Sequence, residues 1–375
     1  MSARTVMVAL DAADLGLVRQ YAASGAMPVM ADLLARGTFG RLGSIGRWLP
    51  GSVWPTLWTS TPPSEHGFHH YLAWSAARMA IVRPNPAMPG LTPFWRRLAD
   101  QGARVAAIDM PFAPPPDAGI ELCGWSTLDS LEPARAHPPE LLAEVRAAFG
   151  AGVPRSEVYA QQTAAELLAL RDEHVRIAQS LASLAERLLR RDRFDLFTLC
   201  LPGPHRCGHR LWDDTGLKGT TDATIRTQLA DALAAVYRAS DEALGRVLEA
   251  AGADDVLVYT VHGMGPNTSR VEILDEMLAR VLGASDGRSG GHAATARLRA
   301  VVPPAVRDRV KRHLPTSWQD RLTGYWRTAG RDWSTVPAVS LVADLGGYVR
   351  LNRAGREAEG ESMPAASRPA RLRRI

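Results

Sequence analysis

The chain has 375 residues, enough for one large α/β domain with insertions and a substantial core, so no disulfide or other staple is required. Its three cysteines, Cys123, Cys200 and Cys207, are odd in number and widely spaced, which argues against a disulfide framework and suits a reducing compartment. The net charge of +5 does not indicate a nucleic-acid binder: of the 44 basic residues only Lys218 and Lys311 are lysines, and the arginines are spread along the whole sequence.

From the N-terminus, Thr5 to Leu10 reads as a short strand running straight into Asp11. That is not a signal peptide, and no apolar run reaches membrane-spanning length, so a cytoplasmic protein without membrane attachment is expected. Asp14 to Tyr21 and Pro28 to Arg36 read as helices, the second closed by Gly37, and Phe39 to Leu42 as a short strand. A Trp- and Pro-bearing stretch from Trp48 to Ser60 follows. Phe94 to Asp100 is a predicted helix and Val105 to Ile108 a strand ending at Asp109.

The Pro- and Ala-rich segment after Pro114, with a weak strand at Ile120 to Cys123, marks an expected insertion over about 114–162. Thr163 to Arg190 carries apolar residues at three- and four-residue steps and predicts a long helix. His174 lies on that stripe and reads as a packed histidine with a satisfied nitrogen. Phe194 to Leu201 is a buried strand, broken by Pro202-Gly203-Pro204 and followed by His205 and His209. If a helical turn follows, residues four apart face the same point, which is a metal-ligand geometry.

Ala223 to Ala251 is a second long helix stopped by Gly252. Val256 to Val261 is a strand that delivers His262-Gly263-Met264-Gly265-Pro266-Asn267. A second insertion is expected over about 283–332, a strand pair at Ala338 to Val342 and Tyr348 to Leu351, and a basic disordered tail at 361–375. The alternation of strands and helices predicts a doubly wound, mostly parallel α/β sheet with helical insertions, in a domain covering 1–360.

In such a sheet ligands bind beyond the carboxyl ends of the strands. Asp11, His205, His209 and His262 all follow strands, and one carboxylate with three imidazoles suits zinc, or another borderline divalent ion such as manganese or iron. Ser52 and Thr56, in Leu49-Pro50-Gly51-Ser52-Val53-Trp54-Pro55-Thr56, are two hydroxyls beside a predicted helix start, and either could be a nucleophile. Asn267 is a candidate donor to a phosphoryl oxygen, or an ordinary turn residue.

Taken together, Val-Ala-Leu-Asp11, the Pro/Ser/Thr-rich loop, Thr59-Ser60, Pro63-Ser64-Glu65-His66-Gly67, His209 three residues before Trp212, and His262-Gly263-Met264-Gly265 resemble the alkaline phosphatase superfamily, in particular its type I phosphodiesterase/nucleotide pyrophosphatase branch. The resemblance covers most of Thr5 to Gly360. It implies an alkaline phosphatase-like core, two divalent metals bridged by a Ser or Thr nucleophile, and hydrolysis of phosphate mono- or diesters. Asp11 and His262 would then hold one metal and His209 the second, with His66 a structural loop residue.

The sequence departs from that pattern in four places. His205 stands where the family usually has Asp, Val261 where it has the Asp before the His-Gly pair, and Pro50 at the usual nucleophile position. No histidine follows His313, which leaves Asp332 as the nearest substitute for a late ligand. One or two ions, zinc or manganese, therefore serve a small-molecule phosphate ester in the first reading. A catalytically impaired relative that binds a ligand or a partner protein is the second. A sulfate- or phosphonate-ester hydrolase, or a phosphotransferase on the same fold, is the third.

Overall fold

The computed structural model describes residues 3–84, 91–127, 133–152, 161–266, 268, 273–282, 333, 336–341 and 346–360. In chain order these form β1 (Ala3–Leu10), α1 (Leu15–Ala23), α2 (Pro28–Arg36), α3 (Val53–Thr59), α4 (Pro63–His66), β2 (Ala73–Ser75), β3 (Ala80–Val82), α5 (Phe94–Asp100), β4 (Val105–Ile108), β5 (Ile120–Cys123) and β6 (Arg135–His137). Then come α6 (Glu140–Phe149), α7 (Ala164–Arg191), β7 (Phe194–Leu201), α8 (Gly203–Leu211), α9 (Ala223–Ala251), β8 (Asp255–Tyr259), α10 (Leu274–Leu282), β9 (Ala338–Leu341) and β10 (Tyr348–Leu351).

By its internal contacts the chain divides into two compact units. The larger comprises Met1–Gly46, Ser52–Gly67 and Asn85–Asn267. Its centre is a six-stranded sheet in the order β6-β5-β4-β7-β1-β8, parallel throughout except for β6, which runs antiparallel to β5. The architecture is the mostly parallel α/β type that the alternation of elements predicts. The Pro-rich segment after Pro114 adds β5 and β6 to this sheet.

Strand β7 is apolar on both faces because both are covered. Phe197, Leu199 and Leu201 enter the main core, where α7 and α9 pack across β1 and β7 through Ile177, Leu181, Leu184, Leu188, Val236, Leu244 and Val247. A Thr163–Glu166 capping box starts α7, each side chain answering an otherwise unpaired backbone N–H at the helix start. Gly252 ends α9 in the left-handed region at φ 51°, where a residue without Cβ avoids the steric cost. On the opposite face Trp54 and Trp58 of α3 and Trp95 of α5 are buried, with the Trp58 and Trp95 rings 6.3 Å apart.

Two sequence expectations are corrected. Phe39 to Leu42 forms no strand: both end residues are exposed, and no neighbouring strand offers them a ladder. His174 is fully buried, yet neither ring nitrogen meets a hydrogen-bonding partner among the described residues. Burial, together with the nearby cations Arg206 and Arg176, lowers its pKa to about 3, so the ring is neutral at ordinary pH.

The smaller unit comprises Arg47–Gly51, Phe68–Pro84 and Thr268–Ile375. It holds the antiparallel pairs β2–β3 and β9–β10, with α10 against β9. Met79, Trp333, Val336 and Val339 make a small core against Trp74. Buried Asn352 ties it together, donating through Nδ2 to the carbonyls of Trp333 and Val336 at 2.8 and 3.1 Å. Asp332, most of the predicted 283–332 insertion and the whole 361–375 tail lie outside the described residues.

Candidate functional site

The carboxyl ends of β7, β1 and β8, three neighbouring strands, form one edge of the sheet. In the ladder Leu10 pairs with Leu201 and Ala9 with Tyr259, so the three strands end nearly level. The Asp11 amide continues the ladder for one more bond, donating to the Leu201 carbonyl at 3.0 Å. Residues distant in sequence are thereby delivered to one place: Asp11 from β1, His205 and His209 from α8 directly after β7, and His262 three residues beyond the end of β8.

Asp11 is 1% exposed. Its Oδ2 lies 2.7 Å from His205 Nδ1, and its Oδ1 accepts a hydrogen bond from Trp54 Nε1 at 3.1 Å. Burial by itself would raise the Asp11 pKa, but the pull of His205, its hydrogen bond, the pull of His262 and the Trp54 N–H together hold it below the usual carboxylate value. The carboxylate is therefore ionised, and Nδ1 of His205 carries the shared proton. That tautomer leaves the lone pair of His205 on Nε2.

The His205 ring stands 4.9 Å from that of His209 and 5.7 Å from that of His262, centroid to centroid. His205 and His209 are one turn apart on α8, which places both on one helix face. Two small residues set the approach. A Cβ on Gly203 would come 2.8 Å from Val236 Cγ1, so glycine lets α8 press against α9. A Cβ on Gly46 would lie 3.2 Å from His262 Cβ and 3.4 Å from Val53 Cγ1, so the loop before α3 runs close to both.

Among the described residues, no three His, Cys, Asp or Glu side chains converge closely enough to hold a metal ion as the chain stands. The expected cage of Asp11, His205, His209 and His262 around one cation is thus not formed in this arrangement. Its physical reason is that Asp11 Oδ2 and His205 Nδ1 are spent on each other. In kind and spacing the set suits one ion: two imidazoles sharing a tetrahedral cation have centroids about 5 Å apart, as these have. For a second ion the described residues bring no further donors to this edge.

Of the two candidate hydroxyls, Ser52 occupies the N-cap position of α3 but makes no capping bond, and it is fully buried. Thr56, about 200° round the helix from Trp54, turns away from Asp11. Its Oγ1 lies 3.1 Å from Nε2 of buried His66, joining α3 to α4. Asn267 lies outside the described residues. A cavity of about 140 Å³ opens beside His209, with Trp212, Arg210, Asp213 and Thr215 in its walls.

The residue that sequence reasoning missed is Trp54. It was visible only as part of a Trp- and Pro-bearing stretch, and a tryptophan on the buried face of a short helix ordinarily signals packing alone. A buried indole N–H needs an acceptor, and that requirement is the signal that could have found it.

No helix among the described residues is long and apolar enough to cross a membrane. No match was found among the curated proteins. In solved structures the chain is similar to phosphonoacetate hydrolase from Sinorhizobium meliloti 1021 in complex with phosphonoformate, at 18% identity and a TM-score of 0.51 over 76% of this chain and 63% of that one. The same hydrolase in complex with phosphonoacetate gives 17% identity and a TM-score of 0.49 over the same shares. The chain thus spans less than two thirds of that enzyme, with which it shares the alkaline phosphatase-like fold. Residues 5–336 match the description type I phosphodiesterase / nucleotide pyrophosphatase, and the chain belongs to that family.

Proposed function

We propose that this protein is a cytoplasmic, metal-dependent hydrolase of phosphate esters, acting on a small-molecule phosphodiester through a serine nucleophile. The observation that carries this reading is the meeting of Asp11, His205, His209 and His262 at one edge of the sheet. Membership of a phosphodiesterase family supports the substrate class. Three buried, unbridged cysteines support a reducing compartment.

His205, His209 and His262 would hold the ion, zinc or manganese, with Asp11 beside it. When bound, such an ion neutralises charge on the phosphoryl oxygens and lowers the pKa of a nearby hydroxyl. Asp11 keeps His205 in one tautomer and in one orientation. His209, on the exposed side of α8, is the imidazole that an incoming ester meets first. Ser52 is preferred over Thr56 as nucleophile because Val53 and Trp54, the next two residues, already lie against Gly46 and Asp11, whereas Thr56 is engaged by His66. In this scheme Ser52 Oγ bonds to phosphorus, the bond from phosphorus to the leaving oxygen breaks with its electron pair, and the serine proton passes to solvent. Water then releases the phosphoryl group. Asn267 is assigned as a donor to a phosphoryl oxygen.

Elemental analysis for bound zinc or manganese, with turnover of bis(4-nitrophenyl) phosphate, tests the proposal on the chain and on Asp11→Ala and His209→Ala. Loss of metal and of turnover in both variants is expected; full turnover in both rejects the assignment.

A second reading has its own support in the complete burial of Ser52 and in Val261 preceding His262. In it the chain binds a phosphorylated ligand or a partner without turnover. A panel of phosphate, sulfate and phosphonate esters, the last prompted by the phosphonate-hydrolysing neighbour, separates it from the first. Tight binding with no ester cleaved favours the second reading.

A further inference from the structure

We infer that Trp54 is a positioning residue for the site: its indole N–H fixes the Asp11 carboxylate so that a single oxygen, Oδ2, is presented to His205 and to any ion held there. This inference deepens the preceding reading and rests on the cluster being a one-ion site.

Three observations meet at this side chain. First, Trp54 is 1% exposed and donates to Asp11 Oδ1 at 3.1 Å, in a place with no solvent to substitute for the bond. A carboxylate on a short side chain turns freely about its last bond unless its oxygens are distinguished. Here the indole marks one oxygen and His205 Nδ1, 2.7 Å away, the other. Second, the Trp54 ring packs on Tyr259, centroids 6.3 Å apart at 60°, and Tyr259 ends β8 three residues before His262. The same rigid ring therefore spaces the end of β1 from the end of β8. Third, Trp54 lies on α3 two residues past Ser52, so its hydrogen bond also fixes how near that segment comes to the carboxylate.

Trp58 provides a matched comparison within the same helix. It too is fully buried, and its Nε1 donates to the Pro111 carbonyl at 3.2 Å, away from Asp11. Trp54→Phe and Trp58→Phe therefore each remove one buried N–H and keep most of an aromatic ring. Only the first touches the site.

The test is the affinity of the purified chain for Mn2+, measured by titration calorimetry on wild type, Trp54→Phe and Trp58→Phe, with thermal unfolding of all three recorded in parallel. Outer partners of metal ligands typically change affinity about 10- to 100-fold when removed. We expect a loss of that size in Trp54→Phe, with kcat for bis(4-nitrophenyl) phosphate falling and KM little changed. Trp58→Phe is expected to keep wild-type affinity although its melting point drops as far. Equal affinities in the two variants, whether both wild-type or both weakened, would overturn the positioning role. A wild type that binds no Mn2+ would instead strike the one-ion reading itself, and the inference with it.

Discussion

Asp11 Oδ2 and His205 Nδ1 stand 2.7 Å apart, although 194 residues of chain separate them. Taking the charge from that carboxylate while keeping its shape should uncouple the pair. Asp11→Asn is expected to lower kcat/KM for an aryl phosphodiester about 10- to 100-fold, because the amide still fills the space but no longer favours the Nδ1–H tautomer. Steady-state kinetics checks this, and unchanged kcat/KM would remove Asp11 from the site.

The two hydroxyls near α3 should separate cleanly. Ser52→Ala is expected to abolish turnover and to leave folding nearly intact, since Ser52 makes no capping bond. Thr56→Ala should retain turnover and lose about 1 kcal/mol of stability, the usual worth of one hydrogen bond, because His66 loses its hydroxyl partner. Urea denaturation beside the kinetic assay reads both effects; the reverse pattern would move the nucleophile to Thr56.

Asp109 makes a pH prediction with a definite sign. It is fully buried at the end of β4 and accepts from the backbone N–H groups of Trp125 and Ser126, at 2.9 and 2.5 Å. Burial nevertheless pushes it up to about 6 from an ordinary 3.8. The folded state thus holds this proton more tightly than the unfolded one. Its contribution is fully present below about pH 4 and is lost as pH rises through about 6, with a slope of at most about 1.4 kcal/mol per pH unit. Subtracting the stability of Asp109→Asn from that of wild type across pH 4 to 7 should show this fall, and a flat difference would contradict it.

His174 carries the opposite sign. Its folded pKa of about 3 lies below the unfolded 6.5, so the stability tied to the neutral ring is present above pH 6.5 and is lost as pH falls toward 3. Because neither nitrogen has a hydrogen-bonding partner among the described residues, His174→Leu should stabilise the chain by about 1 kcal/mol at neutral pH and by more at pH 5. Thermal melts at the two pH values decide it.

Long, strongly periodic segments were legible in the sequence. The stripe Leu167, Ile177, Leu181, Leu184 and Leu188 announces α7, and Pro28 with Gly37 brackets α2, because caps and periodicity are local properties of the chain. Short strands were less so. The segments that form β6, β2 and β3 are three residues each and owe their pairing to neighbours found only in the folded state, while Phe39 to Leu42 has strand-like residues without a neighbour. At the site, the strand-end rule pointed to Asp11, His205, His209 and His262 as separate residues. What it could not give was the proton shared by Asp11 and His205, or the indole on the other carboxylate oxygen, since both depend on rotamers set by packing.

The order β7-β1-β8 has a consequence for how the chain acquires its chemistry. Strand β1 leaves the ribosome first, yet its two neighbours in the sheet begin at residues 194 and 255. Closing such distant pairings is slow compared with forming helices. A nascent chain can therefore bring Asp11 and His262 together only after most of its length has been synthesised, and a shortened product ending before β8 would lack the edge on which an ester could be cleaved.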